Sequence, residues 1–180
     1  YEREKWENLR AAWQDVASSE SLQRIVLNAK AKNARVTAGI ENGVQTEKMT
    51  AGNKLPWYIK TDIKPVTFVF KGLMLAIMPD RLLVFDKKMG AIDYKDIKFD
   101  LSAVGFLEGD SVPSDAEVVK YVWVYSNNDG SPDKRYSNNR QYPVMKYGKI
   151  AMTSTSGLNI QFMCSNEAAV DQLSILLQKN

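Results

Sequence analysis

The chain opens with apolar residues at helical spacing. They recur three and four positions apart, which puts them on one face of a helix: Trp6, Leu9, Trp13 and Val16. The polar run 18–21 interrupts this pattern and offers N-cap residues for a second helix. We therefore expect a first helix that ends just before residue 18.

The segment after residue 21 also carries apolar residues that a second helix would gather into a stripe. These residues are Leu22, Ile25, Val26 and Ala29. We expect the helix pair to pack on the domain or on a partner chain. The alternative is a basic amphipathic helix on an anionic membrane surface, because this segment also carries Arg24, Lys30, Lys32 and Arg35.

The pattern then changes twice. Residues 39–53 are rich in Gly, Asn, Thr and Glu, which predicts a linker or an ordered loop. From Pro65 onward, β-branched and aromatic residues favour strands. The predicted strands are 66–70, 73–78, 81–85, 91–97, 103–107, 118–125, 144–153 and 158–164, with a turn at 87–90.

The end of the chain returns to helical spacing. Ser165 or Asn166 can cap a last helix, whose apolar stripe is Val170, Leu173, Leu176 and Leu177. The order predicts an α+β fold, in which a curled antiparallel sheet or barrel of about seven strands is closed by a C-terminal helix. We expect residues 1–53 to form an N-terminal helical segment and linker, and 54–180 to form this β domain.

Two stretches carry a family resemblance. Residues 75–85 read LAIMPDRLLVF, and residues 90–97 read GAIDYKDI. Together with the closing helix, they resemble bacterial pleckstrin-homology-like (PH-like, also GRAM-like) domains, over about Val66 to Lys179. The resemblance implies a scaffold that binds phosphoinositide, peptide or protein, usually without catalysis. The polar segment 126–143 departs from the family's minimal pattern.

Composition narrows the range of functions. The net charge is +3, which is weak for a protein that binds nucleic acid. We therefore expect no nucleic-acid partner. The sequence has no His, which excludes His-based acid–base catalysis and Ser-His-Asp triads. The single Cys164 lies in an apolar strand context, where a buried and inert thiol is usual. We expect no cofactor and a cytoplasmic location, with the inner face of a membrane as the alternative.

The most unusual segment is the polar run 126–143. It combines turn residues with cations, amides and tyrosines, a mixture suited to phosphates, carboxylates or aromatic stacking. A long loop in a compact domain is often functional, although a solvated hairpin extension is the alternative. The candidate partner-binding residues are Asp133, Lys134, Arg135, Asn138, Asn139, Arg140 and Tyr142.

A second candidate group is Lys87 and Lys88 in the predicted hairpin turn. The family resemblance implies that basic residues on such loops meet a lipid headgroup. Residues 153–157, TSTSG, are reminiscent of a phosphate-binding loop, but they lack its glycine spacing and its lysine. We interpret them as a strand-to-strand turn.

One enzymatic alternative depends on Asp80, Asp93 and Lys95. They match the loose PD…(D/E)xK pattern of Mg²⁺-dependent nucleases, in which two carboxylates share the metal. With a turn at 87–89, Asp93 would lie opposite Leu83, and the two carboxylates would be about 10 Å apart. This predicted register disfavours a nuclease.

These observations favour a non-catalytic binding module. The expected ligand is a protein partner or a second copy of the chain, bound by the 126–143 loop and the N-terminal helices. Trp6 and Trp13 are suitable interface anchors, or else core residues. Recognition of an anionic membrane lipid is the alternative binding function, and a Mg²⁺ nuclease is the enzymatic one.

Overall fold

The computed structural model describes residues 2–28, 44–107 and 111–179. Its helices are α1 (Glu2–Ala17) and α2 (Glu167–Gln178), and a 3-10 turn spans Tyr94–Asp96. The strands are β1 (Leu22–Asn28), β2 (Val44–Lys48), β3 (Thr50–Gly52), β4 (Val66–Phe70), β5 (Leu73–Ile77), β6 (Arg81–Phe85), β7 (Met89–Asp93), β8 (Ile97–Leu107), β9 (Glu117–Trp123), β10 (Gln141–Ser154) and β11 (Asn159–Cys164).

The strands form two antiparallel sheets. The first has the order β2-β1-β11-β10-β8, with β9 also paired to β10, and the second has the order β3-β4-β5-β6-β7. The α+β class is confirmed, but the predicted curled, closed sheet is wrong. After β7 the chain turns through the 3-10 segment, and β8 pairs with β10 instead of joining β7. Both sheets therefore stay open.

The predicted second helix is also wrong where the structure describes it. Leu22–Asn28 is β1, which lies between β2 and β11, with Leu22 opposite Cys164. Strand pairing on both sides outweighs the helical spacing because Ile25 and Val26 are β-branched and suit a strand equally well. The rest of that predicted helix, from residue 29, lies outside the described residues.

The predicted linker at 39–53 contains strands as well. Its described part begins at residue 44 and forms β2 and β3, which pair with β1 and β4. Thr46 and Thr50 are β-branched, which favours strands even in a polar context. The Gly- and Asn-rich composition was therefore misleading here.

α1 packs into the main core with the predicted face inward. Leu9, Trp13 and Val16 are buried, and Trp13 is only 1% exposed. Its ring meets Phe68 of β4 edge-on, with 5.9 Å between ring centroids. Trp13 is thus a core residue, whereas Trp6 is only partly buried at the margin of the core.

α2 closes over β10 as the sequence predicts. The side chain of Asn166 accepts a hydrogen bond from the Ala169 amide at 3.2 Å, which confirms the predicted N-cap. Val170 and Leu173 are buried residues of this helix. Gly148 of β10 lets the helix approach the sheet closely, because a Cβ there would lie only 2.6 Å from Cβ of Val170.

The outer face of each sheet carries a small core of its own. On the first sheet this core contains Met145, Tyr147 and Met163. On the second sheet, the corresponding small core is covered by Leu55 and Ile59. Among the described residues, no helix combines the length and apolar character needed to cross a membrane.

Candidate binding surfaces

The connection between β9 and β10 is an ordered structure. Ser126 and Pro132 form an isolated bridge, and the Asn127 amide donates to the Ser131 carbonyl at 2.8 Å. Gly130 has a φ of 84°, a conformation that favours glycine. The predicted turn chemistry therefore builds a tight hairpin at the tip of this loop.

Asp133 and Arg135 lock the middle of the loop. Asp133 is 7% exposed and accepts bonds from the Arg135 amide at 3.1 Å and from its Nε at 3.0 Å. Hydrogen bonding to this carboxylate raises the pKa of Arg135. Reversing the charge of Arg135 would place two carboxylates together, so this residue contributes to the loop's own structure.

Asn139 holds the base of the loop. Its side-chain oxygen accepts from the Tyr125 amide at 3.0 Å, and its amide nitrogen donates to the Tyr125 carbonyl at 2.6 Å. Tyr125 stacks on Tyr136, with 3.8 Å between ring centroids and 7° between planes. The other predicted residues of this loop are exposed: Lys134, Asn138, Arg140 and Tyr142.

The second predicted group lies far from this loop. Lys87 and Lys88 are exposed in the turn between β6 and β7. Lys88 shares a cleft of about 480 Å³ with Ser156 and Gly157, which are in the turn after β10. Because the polar loop precedes β10 and this turn follows it, about 40 Å of strand separates them. The predicted residues therefore do not form one site.

The turn at 153–157 joins β10 to β11, as the sequence predicts. The Ser154 amide donates to the Leu158 carbonyl at 2.9 Å, and the Gly157 amide donates to Ser154 at 3.2 Å. Gly157 has a φ of 105°. These bonds close a strand-to-strand turn.

The proposed nuclease residues have a different register from the predicted one. Asp93 lies opposite Arg81 rather than Leu83, because β7 begins at Met89, inside the predicted turn. Asp80 is paired with Arg81, whose hydrogen bond lowers the pKa of the carboxylate. Nζ of Lys95 lies 3.7 Å from Oδ2 of Asp93. Among the described residues, no cluster of three or more Asp, Glu, Cys or His is placed to hold a metal.

A larger cleft opens between the two helices, β8 and the turn before β6. Its volume is about 860 Å³, roughly twice that of the pocket of about 410 Å³ in the polar loop. The lining residues are Glu2, Lys5, Trp6, Leu9, Pro79, Asp80, Tyr94, Lys95, Ile97, Phe99, Asp100, Leu101, Ser174, Leu177 and Gln178. We call it the helix–strand cleft.

The floor of the helix–strand cleft is apolar and continuous with the core. Phe99 contacts Trp13 and Tyr94, with ring centroids 6.4 Å and 6.1 Å apart. Tyr94 donates its hydroxyl hydrogen to the Met78 carbonyl, and burial raises the pKa of this tyrosine. These contacts pack the floor against the core.

The rim of the cleft carries both charges. Among the described lining residues, three are carboxylates and two are ammonium groups. They are Glu2, Asp80, Asp100, Lys5 and Lys95. Asp80 is paired with Arg81, and Lys95 lies close to Asp93. The remaining lining carboxylates, Glu2 and Asp100, outnumber the remaining ammonium group, Lys5, so the rim is slightly acidic.

One wall of the cleft is the edge of β8. Phe99, Asp100 and Leu101 are consecutive, yet all three line the cleft. Successive strand residues point to opposite faces, so the cleft must border the strand's edge and not one face alone. β8 pairs with β10 at every position from Ile97 to Leu107, and no described strand pairs with its other edge.

The sequence pattern did not identify this cleft. Its residues come from both helices, two turns and one strand, which are far apart along the chain. The one local signal was Trp6, which is the first residue of the apolar stripe of α1 and is only partly buried.

Cys164 is buried in β11 and is not part of either surface. It is fully shielded from solvent, and burial raises the pKa of its thiol to about 11. A thiol with this pKa is protonated at neutral pH and weakly nucleophilic. Its predicted burial is confirmed.

Comparison of the chain with protein-family models, curated protein sequences and solved structures gave no match.

Proposed function

We propose that this protein is a non-catalytic interaction module that binds a segment of a partner protein in the helix–strand cleft. The observation that carries the proposal is the cleft of about 860 Å³ with an apolar floor and a charged rim. Ligand-binding clefts have volumes of about 300–1,000 Å³ and mainly apolar walls; this cleft has such a volume, with a more polar rim.

The packing of the floor supports binding. Trp13 connects Phe99 at the cleft to Phe68 in the second sheet through ring contacts. A site whose walls are already packed loses little conformational entropy when a ligand enters. The half-buried Leu101 and Leu177 offer apolar surface to a ligand without needing to rearrange.

The charge of the rim favours a protein segment over an anionic headgroup. Lipid phosphates need a positive field, whereas the described lining of this cleft has more carboxylates than ammonium groups. The resemblance to PH-like domains is compatible with peptide or protein binding. We retain a PH-like binding domain as part of this proposal.

The test is selection of a random-peptide phage library on the immobilised full chain, followed by affinity measurements. Ser174 lines the cleft on α2, whereas Gln172 is exposed on the same helix outside it. We expect Ser174→Tyr to fill the cleft and to weaken binding of the selected peptides by at least about tenfold. Gln172→Tyr, the matched control, should leave their affinity unchanged.

Two outcomes contradict the proposal. The first is that no peptide is enriched on the wild-type protein. The second is that selected peptides bind the Ser174→Tyr and Gln172→Tyr variants equally, which would place their site outside the cleft.

A further inference from the structure

We infer that the partner segment binds as an added β-strand along the edge of β8 that no described strand pairs with, and that it carries an apolar anchor and a basic residue. This inference rests on the proposed function, since it concerns the same cleft. It specifies what the cleft recognises: the backbone of an extended segment, one apolar side chain and one positive charge.

β8 is a regular strand with several exposed residues. Its pairing with β10 has no bulge from Ile97 to Leu107, and the strand has no proline. Asp100, Ser102 and Ala103 are exposed. A strand edge presents unpaired amide and carbonyl groups at every second residue, ready to pair with another strand.

The edge of β9 differs from that of β8, although β9 also pairs on one side only among the described residues. A bulge lies between Lys120 and Val118, where Val119 has no partner on β10. Both strands carry a lysine, Lys120 on β9 and Lys98 on β8, but a bulge hinders strand addition and β8 has none. Of these two edges of the first sheet, β8 is therefore the more suitable for strand addition.

The position of the apolar floor defines the anchor. Phe99, Trp6 and Leu177 line the same cleft that the β8 edge borders. Alternate side chains of an added strand point to one face, so one of them can enter this apolar region while its backbone pairs with β8. Peptide recognition by strand addition combines backbone bonds for affinity with such side-chain pockets for specificity.

The charge of the rim favours a basic residue in the segment. The cleft has the acidic rim described above, including the exposed Asp100 of β8 itself. Ser174, Leu177 and Gln178 of α2 also line the cleft, but Lys179 caps this helix and offsets the partial negative charge of its last carbonyls.

The partial positive charge at the N-terminus of α1 is offset by carboxylates of the helix itself. Glu2 and Glu4 lie in its first turn, where carboxylates offset the helix dipole. Glu2 is therefore partly compensated by the helix end, and the exposed Asp100 of β8 is the main carboxylate that a basic residue would meet.

The experiment uses two synthetic libraries of short peptides with alternating Val and Thr and one Leu or Phe anchor. One library carries Lys or Arg beside the anchor, and the other carries Glu. By fluorescence anisotropy with the full chain, we expect the basic library to bind about fivefold more tightly. Asp100→Lys should remove this preference. Asp96→Lys, the same charge change at an exposed residue outside the cleft, should retain it.

Backbone pairing is tested by N-methylation of the best-binding peptide at each position in turn. We expect methylation at alternate positions to weaken binding by about tenfold, because each methyl group removes one bond to β8. The intervening positions should tolerate it. Amide hydrogen exchange in Ile97–Leu101 should slow at alternate residues when the peptide binds.

The possible failures are distinguishable. Peptides that bind, and that Ser174→Tyr blocks, but that show no alternation in N-methylation, would overturn strand addition and leave the proposed function standing. Equal binding of the basic and acidic libraries would overturn the charge preference. If neither library binds while the phage-selected peptides do, the inference fails and the proposed function stands.

Discussion

At the scale of single residues, Gly148 controls how closely α2 approaches β10. A Cβ at this position would lie 2.6 Å from Cβ of Val170 and 3.3 Å from Cα of Glu167. We expect Gly148→Ala to lower the free energy of unfolding by about 1–3 kcal/mol, because the helix must move outward. The measurement is urea denaturation. Gly90→Ala is the matched control, since a Cβ there has no neighbour within 4 Å among the described residues.

An equal urea midpoint for the two variants would contradict this contact between helix and strand. The sequence alone does not predict the role of Gly148. A glycine within a strand indicates a close approach or a bulge, but the partner, Val170, is brought there by the fold.

At the scale of elements, the connection between β9 and β10 is held by its own side chains. Asn139 bonds both backbone groups of Tyr125, whereas its neighbour Asn138 is exposed. We expect Asn139→Ala to release the stacking of Tyr125 on Tyr136 and to speed amide exchange in the loop about tenfold, through loss of about 1–2 kcal/mol. Asn138→Ala should change neither, and similar exchange in both variants would contradict this role.

The elements that the sequence predicts well are those with one consistent local pattern. The strands Val66–Phe70 and Arg81–Phe85 have their predicted limits, because β-branched and aromatic residues are bounded there by turn residues. The segment from Leu22 was misassigned because a short apolar run suits either period, and pairing with β11 decided it. The turn before Met89 was placed too late, which shifted the predicted partner of Asp93.

At the scale of the whole molecule, the helix–strand cleft depends on contacts that no local pattern contains. Trp6, Tyr94, Phe99 and Leu177 come together only when α1 and α2 pack beside β8. The polar loop, by contrast, could be found from its sequence, because its turns and amides act locally. Predicted site residues such as Asp133 and Asn139 proved to hold the loop's own structure.

Trp13 joins the two sheets, and this sets the last prediction. Its ring contacts Phe68 in the second sheet and Phe99 on β8 of the first sheet. We expect Trp13→Ala to lower the free energy of unfolding by about 3–5 kcal/mol, since removal of the indole ring would leave a large cavity between the sheets. Trp57→Ala, the same change at a ring that is 90% exposed, should cost less than about 0.5 kcal/mol.

Urea denaturation followed by far-UV circular dichroism measures both variants. A loss of this size is a large part of the stability of a typical domain, so Trp13→Ala should also bind the selected peptides more weakly, because Phe99 loses its support. A Trp13→Ala variant as stable as Trp57→Ala would mean that the sheets hold together without α1. The floor of the cleft would then owe its rigidity to Tyr94 and not to the packing of α1 against both sheets.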